Sequence, residues 1–199
     1  MDDTSRTLWL VRHGESTWNV LGLVQGQMRT PSLTEKGRRQ SHDVAESLRG
    51  LALDAIYASD LDRAQQTADI IARTLGLEVH AHPALRERCF GGHEGLQSSA
   101  LDPGVTGIDG QRVVDVHARP ERGESLHDLY ERSGAFVEWL DTQPRHGAAI
   151  VVTHGGTIRA LRAYCAGIPV EEMTWETVDN ASVWKIPRPD LVSASRFSR

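Results

Sequence analysis

The sequence predicts an α/β fold, a three-layer sandwich with a mostly parallel central sheet flanked by helices. Three observations carry this reading. Short apolar runs at Leu8–Val11, Asp54–Ala58 and Ala148–Thr153 have the length and residue types of strands. Each is followed, at once or after a loop, by a stretch with helical periodicity, and that alternation implies parallel strands covered on both faces. The first and last runs lead directly into histidine and glycine, as Arg12-His13-Gly14-Glu15 and as His154-Gly155-Gly156. In open α/β sheets, ligands bind at such carboxyl ends of strands.

The elements follow in order. After the first strand, Gly14 is expected to let the backbone turn. A loop then runs from Glu15 to Ser32, marked by Gly22, Gly26 and Pro31, with Ser16, Asn19 and Gln25 as polar members that can face the crevice. Thr34 is the expected N-cap of a helix reaching about Leu48, although Gly37 weakens its first turn. The second strand ends at Ala58, and Ser59 or Asp60 is expected to cap a helix over about Leu61–Leu75. Leu61, Ala64, Ala68, Ile71 and Leu75 form its apolar stripe. Arg63 lies in its first turn, where free amides and the helix dipole attract anions; read alone, it is equally a solvated surface arginine.

Leu77–Ala81 reads as a third strand that places His80 and His82 on one face. That spacing can bind a metal, but two exposed histidines on an edge strand are the simpler reading. Glu87 stands between Arg86 and Arg88, either in a surface ion-pair cluster or as a carboxylate held near an anion site. Residues from about 90 to 124 are rich in glycine and proline and read as an irregular cover over the crevice, or else a mobile surface loop. A helix is expected from Ser125 to about Thr142, a strand over Ala148–Thr153, and a helix over Thr157–Cys165 that buries Cys165. Asn180–Ile186 alternates like a final strand, and the tail from about 188 is expected to fray.

With 199 residues and no repeat, one domain spanning 1–199 is expected. A formal net charge of −5 argues against general nucleic-acid binding. No apolar run is long enough to cross a bilayer as a helix, and the acidic start of the chain lacks the core of a signal peptide. Cys89 and Cys165 form no CxxC pattern, so a cytoplasmic location with reduced thiols is the default. Lys36 and Lys185 are the only lysines; the remaining basic charge is arginine, which suits bidentate oxyanion binding.

Two histidines, two arginines and a carboxylate thus gather at strand ends and in the loop between them. A phosphate monoester carries nearly two negative charges, which Arg12 and Arg63 can meet with forked hydrogen bonds. Neutral His13 can attack phosphorus, and Glu87 can protonate the leaving oxygen and then accept a proton from water.

Five ordered motifs extend this reading. They are Arg12-His13-Gly14-Glu15 with Asn19, the Ser59–Ala68 segment, Leu85-Arg86-Glu87 with Phe90-Gly91, Gly123-Glu124-Ser125, and Thr153-His154-Gly155-Gly156. Over about Leu8 to Ile186 the chain resembles the histidine phosphatase superfamily, whose fold is phosphoglycerate mutase-like. The resemblance implies that His13 accepts the phosphoryl group and Glu87 donates the proton, while Arg12, Arg63 and His154 hold the phosphoryl oxygens. Asn19 and Gln25 would line the pocket, with Ser16, Gly155 and Arg86 completing the expected substrate-binding set. It implies no metal and no cofactor. Two histidines and a glutamate can also form a metal triad, but two adjacent arginines would repel a cation.

Gly92-His93, Cys89 and the segment Thr30-Pro31-Ser32-Leu33-Thr34 depart from the common family pattern and bear on substrate identity. Cys89 and His93 are candidates for pocket lining or for packing. Arg86, Arg88, Arg112, Arg119 and Arg122 are candidates for a second acidic group.

The expected partner is a small-molecule phosphate monoester, with no nucleic acid or membrane. Oligomeric state is open, a homodimer included. A phosphomonoester hydrolase is the leading function. Cofactor-dependent phosphoglycerate mutase and a non-enzymatic phospho-ligand module are the alternatives. Only residues 88–153, 66 in number, separate Glu87 from His154, a shorter cover than the mutases of this family carry, and this favours water as the acceptor.

Overall fold

The computed structural model describes residues 7–143 and 147–187. In chain order the strands and helices are β1 (Thr7–Arg12), α1 (Thr17–Leu21), α2 (Glu35–Ser47), β2 (Leu53–Ala58), α3 (Asp62–Leu75) and β3 (Val79–Ala81). They continue with α4 (Pro103–Thr106), β4 (Ile108–Asp109), β5 (Arg112–Val113), α5 (Leu126–Thr142), β6 (Ala148–Thr153), α6 (Gly155–Cys165) and β7 (Val183–Pro187). The acidic start of the chain and the tail expected to fray lie outside the described residues.

The main sheet has the order β3-β2-β6-β1-β7. The first four strands are mutually parallel and β7 closes the edge antiparallel to β1. The expected three layers are present. One face packs Leu8, Leu10, Tyr57 and Val151 against Phe136 and Leu140 of α5 and Ile158 and Leu161 of α6. The other packs Val11, Ile56, Ala58, Ile150 and Val152 against Val44 and Leu48 on the α2 side and Ala64, Ala68 and Ile71 of α3. Residues on the two faces alternate with the period-2 pleat. β6 is buried at all six positions because it is the middle strand with helices on both sides.

Several boundaries differ from the sequence reading. No side chain caps α3: its N-cap is Leu61, while Ser59 and Asp60 turn to other partners described below. α6 begins two residues early, so Gly155 and Gly156 lie in its first turn. The third strand is three residues long. Asn180 and Ala181 form a turn before β7, with Ala181 at φ 58°. Cys165 is partly buried against the core rather than enclosed by it.

Gly14 also has a different role from the one expected. It is not among the residues with positive φ. Instead, a Cβ there would lie 2.3 Å from the Gly37 carbonyl oxygen, and a Cβ on Gly37 would lie 2.1 Å from the Glu15 carbonyl oxygen. The two glycines let α2 cross against the end of β1. Thr34 accepts from the Gly37 amide and caps that helix. Glu15 fastens the same corner, accepting from Thr34 Oγ1 at 2.9 Å and pairing with Lys36 at 2.7 Å. Gly14→Ala is therefore expected to destabilise the fold by about 1–3 kcal/mol through backbone overpacking. The corresponding fall in Tm is roughly 3–10 °C for a chain of this size. An unchanged Tm by calorimetry would remove the crossing from the argument.

The 90–124 segment is irregular, as expected, but it is organised around a buried cation. Arg88 is fully buried and donates to the carbonyls of Glu124 (2.8 Å), Thr106 (2.6 Å) and Ala118 (2.9 Å). That binds three distant points of the segment to one side chain.

Candidate active site

Parallel pairing of β1, β6 and β2 brings three strand ends side by side. The ladder continues past the strands, with the His13 amide donating to Thr153 O and the Ser59 amide to Val152 O, each at 2.9 Å. The His13 backbone is clamped from the far side as well: its carbonyl accepts from Asn180 Nδ2 (3.1 Å) and from the Ala181 amide (3.2 Å).

His13 Nδ1 lies 2.7 Å from the Gly14 carbonyl oxygen. A carbonyl only accepts, so Nδ1 carries the proton and Nε2 is left with its lone pair. Burial, then the charges of Arg63 and Arg12, hold the His13 pKa well below the ordinary 6.5. His154 sits beside it, with ring centroids 5.1 Å apart. Its Nε2 lies 2.8 Å from Ser59 Oγ, and its Nδ1 is buried without a protein partner. Burial, then Arg63 and His13, lower its pKa too.

Both rings are thus neutral in the folded chain, whereas unfolded imidazoles titrate near 6.5. Below that value the unfolded chain binds protons that the folded chain does not. Stability is complete above pH 6.5 and declines as pH falls toward the folded-state values. Urea unfolding is expected to give a smaller free energy at about pH 5.5 than at about pH 7.5. Stability that is flat or greater at the lower pH would contradict neutral buried histidines.

The two arginines are held by backbone carbonyls rather than by carboxylates. Arg63, fully buried at the start of α3, donates to Met28 O and Gly26 O, each at 2.8 Å, and so shapes the loop before α2. Arg12 Nη1 donates to Val178 O at 2.6 Å. Burial lowers both pKa values, that of Arg63 to about 10, so both stay cationic at neutral pH. The Nε of each is buried without a protein partner. A buried cation and a part-buried one, each with an unmet buried donor, are costly unless an anion completes them.

Glu87 is aimed by main-chain donors. One carboxylate oxygen accepts from the Arg88 amide (2.8 Å), the other from the Gly156 amide (3.0 Å). A Cβ on Gly156 would lie 2.3 Å from Glu87 Oε1, so this approach requires glycine. The Glu87 carbonyl accepts from Gln27 Nε2 (3.0 Å) and Arg132 Nη2 (3.3 Å). Arg132 in turn forks onto Glu124 at 3.0 and 2.8 Å.

Arg12, His13, Arg63, Glu87 and His154 line one cleft of about 310 Å³, together with Asn19 and Gln25. The other expected substrate-binding residues do not line it. Ser16 is buried as the N-cap of α1, its hydroxyl 2.7 Å from Gln25 Oε1 and 3.0 Å from Asn19 Oδ1, and so orients both amides. Gly155 lies beneath, between Arg159 and Arg12. Arg86 forks onto Asp60, with Nε 2.7 Å from Oδ1, and is committed to that ion pair.

Of the arginines considered for a second acidic group, Arg88 is the buried clasp of the 90–124 segment. Arg119 pairs with Asp128 and Arg122 with Glu121. Neither these, nor Arg112, Cys89 or His93, line the cleft. His82 packs on Trp139, and its Nδ1 accepts from the Ala84 amide, while His80 lies against Tyr57. Among the described residues no group of three or more His, Cys, Asp or Glu side chains is placed to share a metal ion.

The sequence gives Gln27, Arg132, Asn180, Arg159 and Trp175 no place in the site, and Gly156 only its place in the motif after His154. The second glycine after His154 is the one local signal among them. The others stand in unremarkable helical or loop sequence and reach the site only through the fold.

Comparison with known proteins gives the family. Residues 8–190 match the family model of the histidine phosphatase superfamily, branch 1. The chain is 35% identical over 187 residues to "Probable phosphoglycerate mutase GpmB" of Yersinia pestis (strain Pestoides F), covering 90% of this chain and 83% of the relative. It also resembles the mycobacterial glucosyl-3-phosphoglycerate phosphatase at TM-score 0.77 and 31% identity, covering 90% of this chain and 89% of that one. A phosphoserine phosphatase mutant from Entamoeba histolytica, in complex with phosphoserine, gives TM-score 0.76 and 26% identity, with 90% and 89% covered. The five motif residues in one cleft, the sheet order that gathers them and the match along nearly the whole chain place this protein in branch 1 of the histidine phosphatase superfamily.

Proposed function

We propose that the chain is a phosphomonoester hydrolase working through a phosphohistidine on His13 and needing no metal. One observation carries this. The neutral, lone-pair-bearing His13 Nε2 shares a cleft with two buried, unpartnered donors, Arg12 Nε and Arg63 Nε, and with the buried, unpartnered His154 Nδ1, which is a donor when the Ser59 hydroxyl donates to Nε2. A phosphate group is the ligand that would use all four, because the donors match its anionic oxygens and the lone pair matches its phosphorus.

In the first half-reaction, His13 Nε2 forms a bond to phosphorus as the bond to the ester oxygen breaks. Glu87, entering protonated, gives its proton to that oxygen, and the alcohol departs. In the second half, Glu87 takes a proton from water as the water oxygen bonds to phosphorus and the P–N bond breaks. Inorganic phosphate leaves, and His13 and Glu87 return to their starting states. Arg12, Arg63 and His154 meet the charge on the equatorial oxygens throughout.

Phosphoglycerate mutase activity is a second reading, favoured by the name of the 35% identical relative. One experiment tests both. Phosphate release from a panel of phosphorylated metabolites is expected without a bisphosphoglycerate primer, with transient acid-labile label on the protein. Strict dependence on the primer, with no net phosphate release, would establish the mutase instead.

A further inference from the structure

Away from the phosphate end, the cleft changes character. Its lining there is Trp175, Phe90, Leu101, Leu23 and Val24, with Ser98 as a polar member. Among the residues lining it, Arg12 and Arg63 are the only cations, and both belong to the phosphate end.

Trp175 is held in place from two sides. Its amide donates to Gln111 O at 2.9 Å, which ties it to the turn between β4 and β5. The Arg159 guanidinium lies over its ring, 4.4 Å from the centroid. Arg159 Nε donates to Glu176 O at 2.6 Å. Arg159 is therefore engaged with an indole face and a carbonyl, and it does not line the cleft. A carboxylate on the leaving group would meet a mostly apolar wall whose polar side chain, Ser98, carries no charge, and that is costly. A flat apolar group would gain contact with the indole.

We infer that the leaving group of the physiological substrate is an uncharged alcohol bearing a flat apolar ring, which stacks on Trp175 and packs against Phe90 and Leu101. This rests on the phosphatase reading and names the class of ester that reading leaves open. Trp175 is then a specificity-determining residue. Phe90 and Leu101, from the 90–124 segment, give that segment its part in substrate choice.

The test compares 2-phenylethyl phosphate, n-propyl phosphate and 3-phosphoglycerate on the full chain. The two alkyl leaving groups are similarly basic, so their difference reports binding rather than chemistry. The ring ester is expected to exceed the propyl ester in kcat/KM by about tenfold or more, chiefly through KM, with 3-phosphoglycerate poorest. Trp175→Ala should shrink the ring-to-propyl ratio at least about fivefold, while Trp175→Phe, which keeps a ring, retains most of it. Equal use of the two alkyl esters, preference for 3-phosphoglycerate, or a Trp175→Ala loss that leaves the ratio unchanged would each overturn the inference with the phosphatase reading intact. No phosphate release from any of the three esters, while the metabolite panel does release phosphate, would overturn this inference alone; no release from either would overturn both.

Discussion

His13→Ala is expected to lower kcat by at least about 10⁴-fold, the scale seen when a catalytic nucleophile is removed. The motivation is geometric. Among the described histidines, His13 alone combines a proton fixed on Nδ1 by the Gly14 carbonyl, a free Nε2 and a place beside Arg12 and Arg63. His154 is placed differently, with its Nε2 engaged by Ser59. The variant should remain folded, since only one side-chain hydrogen bond and part of a buried ring are lost. Circular dichroism and urea unfolding check the fold, and rapid acid quench with labelled substrate checks the chemistry. Wild type should show transient acid-labile phosphate on protein and the variant none. A few per cent of residual turnover by folded His13→Ala would rule out the covalent route.

Glu87→Gln should separate substrates by leaving group. Alkyl phosphates need a proton on the departing oxygen, and their turnover is expected to fall about 10²- to 10⁴-fold. Aryl phosphates with acidic leaving groups need little help and should lose less than about tenfold in the same step. The substitution also disturbs geometry. A glutamine presents one acceptor where the Arg88 and Gly156 amides now meet two. That disturbance affects both substrate classes alike, so the ratio between them is the quantity to read. An equal loss in both would take the acid role from Glu87 and leave it a structural carboxylate.

The elements of the core were readable in the sequence because their signals are local. The pleat of β1 and β6, the stripe of α3 and the Thr34 cap need only neighbouring residues. The family motifs were readable for the same reason: each is a short word at a strand end or in a helix first turn. The misreadings are also instructive. Ser59 has the composition of a helix cap, but its hydroxyl lies at His154, 95 positions away. Arg86 looked like an anion binder, yet Asp60 already neutralises it. Gly14 reads as a turn residue, and what it supplies is room for Gly37.

By itself, then, the sequence determined the layer architecture, the strand ends that carry histidine, and the identities of the five residues that share the cleft. Only the tertiary structure decided that β6 lies between β1 and β2, which sets His13, His154 and Ser59 side by side. It also decided which arginines remain available to an anion: Arg12 and Arg63 keep a buried donor unmet, while Arg86, Arg88, Arg119 and Arg132 are spent on acceptors. The physical reason is the range of the interactions. Periodicity and capping are fixed within one or two turns of chain, whereas a charge is neutralised by whatever the fold brings within hydrogen-bond reach.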